Sequence, residues 1–248
     1  KSGGESSVIC QKVSADGRLL FPGSGIKVHN SKNRKGLTSV VEDDSSGVFV
    51  LWTELINNKM IVHSNRVDAN GKLSFGKKPV AISSPNLNVL KYSAYETGDD
   101  KVYVVWQMHK EDTDVYHQMI GSNGKISWKE NGIPVTRRAS DITNPQAYVN
   151  DNQIYLTWTD EVKKVKDIFI QKYDFNGKEI WKRDGIKVTN IRGEQFGQKI
   201  KGDDKGNVII AWIDRRIDSL SGNVYLQKIS PAGETEWTEN GIAAGTYS

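Results

Sequence analysis

The stretch DFNGKEIW, Asp174 to Trp181, with Asp184-Gly-Ile186 just after it, is one of five versions of a single motif. The others are SADGRLLF from Ser14, DANGKLSF from Asp68, GSNGKISW from Gly121 and SPAGETEW from Ser230. Their glycines, Gly17, Gly71, Gly124, Gly177 and Gly233, stand 54, 53, 53 and 56 residues apart. A tryptophan ladder keeps step with them: Trp52, Trp106, Trp158 and Trp212, at intervals of 54, 52 and 54. Modules of this length built from short strands indicate a β-propeller or a related array, since each small sheet buries its faces only against its neighbours.

Around the fourth copy the strands can be read one by one. Gln146 to Val149, Ile154 to Trp158, Ile168 to Tyr173 and Lys178 to Trp181 are short, alternating and rich in β-branched or aromatic residues. The same order fits the third and fifth copies, and no long stretch has a helical apolar period. The expectation is one all-β domain over 1–248, a β-propeller of about five blades with repeats of about 53 residues. Its parts are a partial blade at 8–28 and repeats at about 37–82, 89–135, 144–188 and 196–244. Nothing before Val8 supplies the first blade's leading strand pair. An open edge leaves backbone groups unpaired, so two expectations stand: other domains or another chain complete that blade, or the ring tolerates the half blade.

The ladder tryptophans are expected to pack between sheets. The amide column Gln11, Asn65, Gln118, Gln171 and Gln227 is expected to bond to backbone.

Trp158-Thr-Asp160, Trp212-Ile-Asp-Arg-Arg216, Asp167-Ile-Phe-Ile-Gln171 and Asn176-Gly-Lys-Glu-Ile-Trp181 resemble the propeller repeats of secreted proteins of the Bacteroidota. The resemblance covers nearly the whole chain. It implies an exported or cell-surface location and an interaction role, often within a longer protein. The chain opens on Lys1, as a mature product or a piece of a longer protein does. The distance from turn glycine to aromatic is one residue longer than in the Asp-box turns of sialidases, so no sialidase chemistry is carried over.

Composition excludes several classes. No apolar run reaches the roughly 18 residues of a membrane helix, so no membrane insertion is expected. A net charge of +4 on 248 residues falls short of a nucleic-acid-binding composition. Cys10, the sole cysteine, sits in a strand and reads as a small hydrophobe. The four histidines have no ligand spacing, and no metal or cofactor is expected. Paired aspartates such as Asp203-Asp204 read as turn formers rather than a calcium site.

Strand order sorts the loops onto two ends. One is short and acidic, with Asp43, Asp44, Asp99, Asp100, Asp151, Asp203 and Asp204. The other has longer loops rich in cations, among them Lys110, Arg137, Arg138, Arg215 and Arg216. Long loops on a rigid scaffold are where binding residues sit. A protein or anionic glycan is the expected partner of this loop end. Arg137, Arg138, Arg215 and Arg216 would grip its carboxylates or sulfates, with Asp160 and Asp214 beside them.

No catalytic motif is present, so the leading expectation is a non-catalytic binding module and not an enzyme. A lectin with repeated pockets between blades is one alternative. A glycoside hydrolase is the other, needing only two carboxylates, with Glu54, Asp160 and Asp214 as candidates.

Overall fold

A computed structural model describes residues 4–109, 112–150, 152–217 and 221–245. Lys110 and Asp151 of the loop assignments lie outside the described residues. All described regular structure is strand. The chain divides into two compact units, residues 1–110 with 116–133, and residues 111–115 with 134–248.

The first unit starts with a two-stranded sheet, β1 (Ser6–Cys10) and β2 (Ile26–Ser31). A four-stranded antiparallel sheet follows: β3 (Lys35–Glu42), β4 (Val48–Ile56), β5 (Lys59–Val67) and β6 (Val80–Ala81). The third sheet is β7 (Asn88–Glu96), β8 (Lys101–His109), β9 (Thr113–Gly121) and β10 (Ile133–Pro134). The second unit holds β11 (Asp141–Asn150), β12 (Gln153–Val162), β13 (Val165–Asp174) and β14 (Ile186–Lys187). It ends with β15 (Gln195–Gly202), β16 (Val208–Asp214), β17 (Asn223–Ile229) and β18 (Ile242–Ala243). Each sheet is a meander, and together they are the blades of a β-propeller of about five blades, the first a half blade.

The ladder tryptophans form the core. Trp52, Trp106, Trp158 and Trp212 are all almost fully buried. Each stacks on the ring facing it from the third strand: His63, Tyr116, Phe169 or Tyr225, at centroid distances of 6.0, 6.3, 6.1 and 6.3 Å. The tips of Trp106, Trp158 and Trp212 reach the turn before the fourth strand, at Gly132, Gly185 and Gly241. There a Cβ added to Gly185 would lie 2.7 Å from Trp158 Cη2 and 2.8 Å from the Ile170 carbonyl oxygen. Gly185 also has φ +77°, so two independent constraints select glycine.

The amide column works as expected, and it corrects one strand. Gln171 accepts from the Trp181 N–H at 3.2 Å and donates to the Lys182 carbonyl at 2.7 Å. Gln118 and Gln227 make the same pair of bonds. The clamp turns the chain away from the sheet directly after the motif. Lys178 to Trp181 therefore makes only an isolated bridge, Tyr173 to Glu179, and the fourth strand is the later pair Ile186–Lys187. The freed aromatic packs sideways, with Phe75 against Gly124 and Trp181 against Gly233 of the next repeat.

Candidate functional site

Three carboxylates stand two residues after a ladder tryptophan, and the fold buries all three. Glu54 is 2% exposed, Asp160 2% and Asp214 1%. Glu54 accepts from Ser31 Oγ at 2.6 Å and Asn33 Nδ2 at 3.0 Å, with His29 Nε2 at 3.1 Å and Lys35 Nζ at 3.4 Å. Burial alone would raise its pKa, but those hydrogen bonds and cations together hold it at about 2.

The sign of its effect on stability follows. The unfolded carboxyl titrates near 4.5, so the stabilisation is complete above that pH and fades as pH falls towards 2. Glu54→Gln is expected to lose about 2 kcal/mol, after allowance for solvent screening, and to flatten that acid limb. Urea titrations from pH 5 to 2.5 would check this, and an unchanged limb in the variant would refute it.

In the second unit the arginines singled out from sequence are largely taken up by acids of the same chain. Arg138 Nη1 lies 3.1 Å from Asp160 Oδ2, with its guanidinium 4.0 Å above the Phe169 ring. Arg216 Nη2 lies 2.7 Å from Asp214 Oδ2, donates to the Asn240 carbonyl, and sits 3.7 Å over Tyr225. Asp214 also accepts from Trp212 Nε1 at 2.8 Å and from the Arg216 N–H. Arg137 pairs with Glu179 at 3.3 Å, and Arg215 with Glu194 at 2.9 Å. The expected ring of cations open to an anionic partner is thus replaced by local ion pairs. Asp160 and Asp214 hold loops rather than face solvent, because a buried carboxylate needs its charge met from within.

A different pair of carboxylates emerges from strand register. Asp214 pairs with Gln195 across β15 and β16, and Asp160 pairs with Ile142 across β11 and β12. The residues just before, Glu194 and Asp141, occupy equivalent places at the loop end of neighbouring first strands. In the other full sheets the same place holds Arg34 and Asn88, preceding Lys35 opposite Glu54 and Val89 opposite Met108. Asp141 is exposed and accepts the Thr113 N–H at 2.9 Å; among the described residues it is in no ion pair. Glu194 is one-third exposed on a cleft of about 200 Å³ lined by Val165, Gly193, Glu194 and Arg215. Gly193, at φ +109°, brings the loop against the Arg215 carbonyl, which would lie 2.8 Å from an added Cβ. The first strands also carry a register shift beside this end, at Thr143/Gln146 and Phe196/Lys199, and such bulges re-aim side chains. Sequence reasoning missed Asp141 and Glu194, although both depart from the repeat where Arg34 and Asn88 stand.

The acidic turns at the other end bind their own backbone. Asp203 accepts from the N–H groups of Lys205 and Asn207, and its pKa is driven down first by the Asn207 side-chain amide and then by those bonds. Asp43 accepts from Ser45 and Gly47 and pairs with Arg66.

No family model matches the chain, and no curated protein sequence does. Solved structures do. The GH93 α-L-arabinofuranosidase of Fusarium graminearum, in complex with arabinobiose, is similar at a TM-score of 0.52 and 11% identity, over 88% of this chain and 71% of its own. An endo-arabinase from Bacteroides thetaiotaomicron gives 0.45 and 13%, over 79% and 76%. The α-L-arabinofuranosidase of Podospora anserina with cellotriose gives 0.42 and 8%, over 82% and 66%. At these identities the likeness is one of fold. It nevertheless corrects the expectation of a non-catalytic binding module that is not an enzyme. The arabinofuranosidase at a TM-score of 0.52 is an enzyme on this fold, and a fold of repeated blades can carry catalysis without any contiguous motif.

Proposed function

We propose that the protein is a glycoside hydrolase acting on a glycan, with Asp141 and Glu194 as its two carboxyl groups. The carrying observation is their placement: equivalent positions on neighbouring first strands, facing solvent at the loop end, where the other full sheets have Arg34 and Asn88. Glycoside hydrolysis needs one carboxyl that donates a proton to the leaving oxygen and a second that works ionised. Glu194, with the Arg215 guanidinium at 2.9 Å, suits the ionised partner. The donor role then falls to Asp141, which is in no ion pair among the described residues. The cleft beside Glu194, about 200 Å³, has room for a single sugar residue rather than a long chain. Arabinofuranosides are the first substrates to try, given the propellers of this shape. An exported or cell-surface location fits both the repeat resemblance and a polysaccharide substrate.

The test is a panel of 4-nitrophenyl glycosides, with the α-L-arabinofuranoside first, and debranched and native arabinan. The intact protein should release nitrophenol or sugar. Asp141→Asn and Glu194→Gln should each lower kcat/KM by about a hundredfold at unchanged unfolding midpoint. No hydrolysis of any member by the intact protein would overturn the reading, as would full activity in both variants.

A further inference from the structure

We infer that the open edge of β1 is a docking site for a β-hairpin of the repeat's own first-and-second-strand type. That hairpin would carry a tryptophan at the end of its second strand and an aspartate in its turn. The five isolated bridges, Val13–Leu19, Val67–Leu73, Ile120–Ile126, Tyr173–Glu179 and Ile229–Thr235, align the third strands position by position. On that alignment Val13 of the half blade is 56% exposed, whereas Val67, Ile120, Tyr173 and Ile229 are at most 1% exposed. Among the described residues β1 pairs only with β2, whereas β5, β9, β13 and β17 each have a strand on both sides.

The contacts that a leading strand pair would satisfy are already built. Ile9, 49% exposed, holds the position at which His63, Tyr116, Phe169 and Tyr225 each receive their tryptophan. Gly25, at φ +101°, repeats the glycine against which that tryptophan's tip rests. A Cβ on it would lie 2.6 Å from the Cys10 carbonyl oxygen, as a Cβ on Gly241 would lie 2.7 Å from the Leu226 carbonyl oxygen. Gln11 makes the same clamp, accepting from the Phe21 N–H at 3.0 Å. A cleft of about 650 Å³ runs beside β1, with Ile9, Leu37 and Val40 on its walls.

Charge selects the occupant. Lys12 aligns with Arg66, Met119, Lys172 and Lys228; Arg66 and Lys228 pair with Asp43 and Asp203 in the turn between their own sheet's first two strands, while Lys172 donates to the Pro231 carbonyl. Lys12 itself is exposed and in no ion pair among the described residues. A turn aspartate would complete it, so the site takes an acidic-turned hairpin rather than any strand.

The probe is a synthetic peptide copying residues 195–214, which contains Asp203 and Trp212, added to the whole chain. The same segment joined ahead of residue 4 by a flexible linker serves where the free peptide does not fold. The expected result is one peptide bound per chain, a raised unfolding midpoint and slowed hydrogen exchange of β1 amides. Trp212→Ala in the peptide should weaken binding at least about tenfold. Lys12→Glu in the protein should weaken it more at low salt than at high salt. The inference fails if neither peptide nor fusion protects β1, or if the alanine peptide binds equally well. It also fails if the chain alone dimerises with β1 already protected, since a second copy would then be the occupant.

Discussion

Trp158→Ala is expected to lower the unfolding free energy by about 3–5 kcal/mol, the range for deleting a large aromatic from a packed core. Trp158 is fully buried and stacked on Phe169, with its far edge against Gly185. The site has little freedom to collapse. Gly185 is fixed at positive φ beneath the ring, and Phe169 is pinned on its other side by the Arg138 guanidinium. A cavity left there would stay, and a persistent cavity is what moves such a substitution to the costly end of its range. Trp181 supplies the contrast. It is half-buried on the Gly233 turn, so Trp181→Ala should cost well under half as much. Urea unfolding of both variants checks the pair. Equal losses, or a Trp158→Ala loss below about 1 kcal/mol, would show that the ladder does not carry the core.

That contrast marks how far the repeat could be read without coordinates. The second and third strands were plain, because alternation and the ladder fix them. The fourth strand was misplaced, because Lys178 to Trp181 alternates like a strand while Gln171 holds its backbone in a turn. Alternation reports which side chains face inward, not which carbonyls a neighbouring strand accepts. A side-chain amide can take those bonds first. The half blade was visible as a missing strand pair, since counting needs no geometry.

The candidate site was less accessible to sequence reasoning, for a reason of register. Asp141 and Glu194 become equivalent only in the strand pairing, because the turns that follow differ in length, Asn150 facing Gln153 but Gly202 facing Val208, and that shifts any count back from the ladder tryptophan. The ladder's own carboxylates drew the eye because they repeat. Their burial against Arg138 and Arg216 shows repetition marking a structural role. The arginines were found in the right loops, yet a cation count cannot show that each has its own acid within 3.3 Å.

Acid should begin to destabilise this protein above the range where carboxylates titrate, and His117 contributes to that early loss. Its side chain is fully buried, with the Tyr103 hydroxyl 3.0 Å from Nδ1 and the Trp128 ring edge-on at 4.8 Å. Desolvation depresses its pKa from 6.5 to about 3. Between those values the unfolded chain binds a proton that the folded chain does not, so stability rises with pH across the window. The stabilisation is complete above pH 6.5 and fades as pH falls, by about 1.4 kcal/mol per pH unit, or about 3 kcal/mol by pH 4.5. His63 adds to the slope in the same direction, its pKa lowered first by burial. Glu54 acts only below about pH 4.5, so the two limbs separate along the axis. His117→Leu gives up the Tyr103 hydrogen bond, a loss of about 1 kcal/mol at pH 7, but removes the proton that the unfolded state gains. Its stability should therefore change far less than the parent's between pH 6.5 and 4.5, and the two curves should cross within that interval. Denaturant titrations at half-unit steps would show the crossing. Parallel curves would mean that His117 is protonated in the folded state, and that its burial does not set the acid limb.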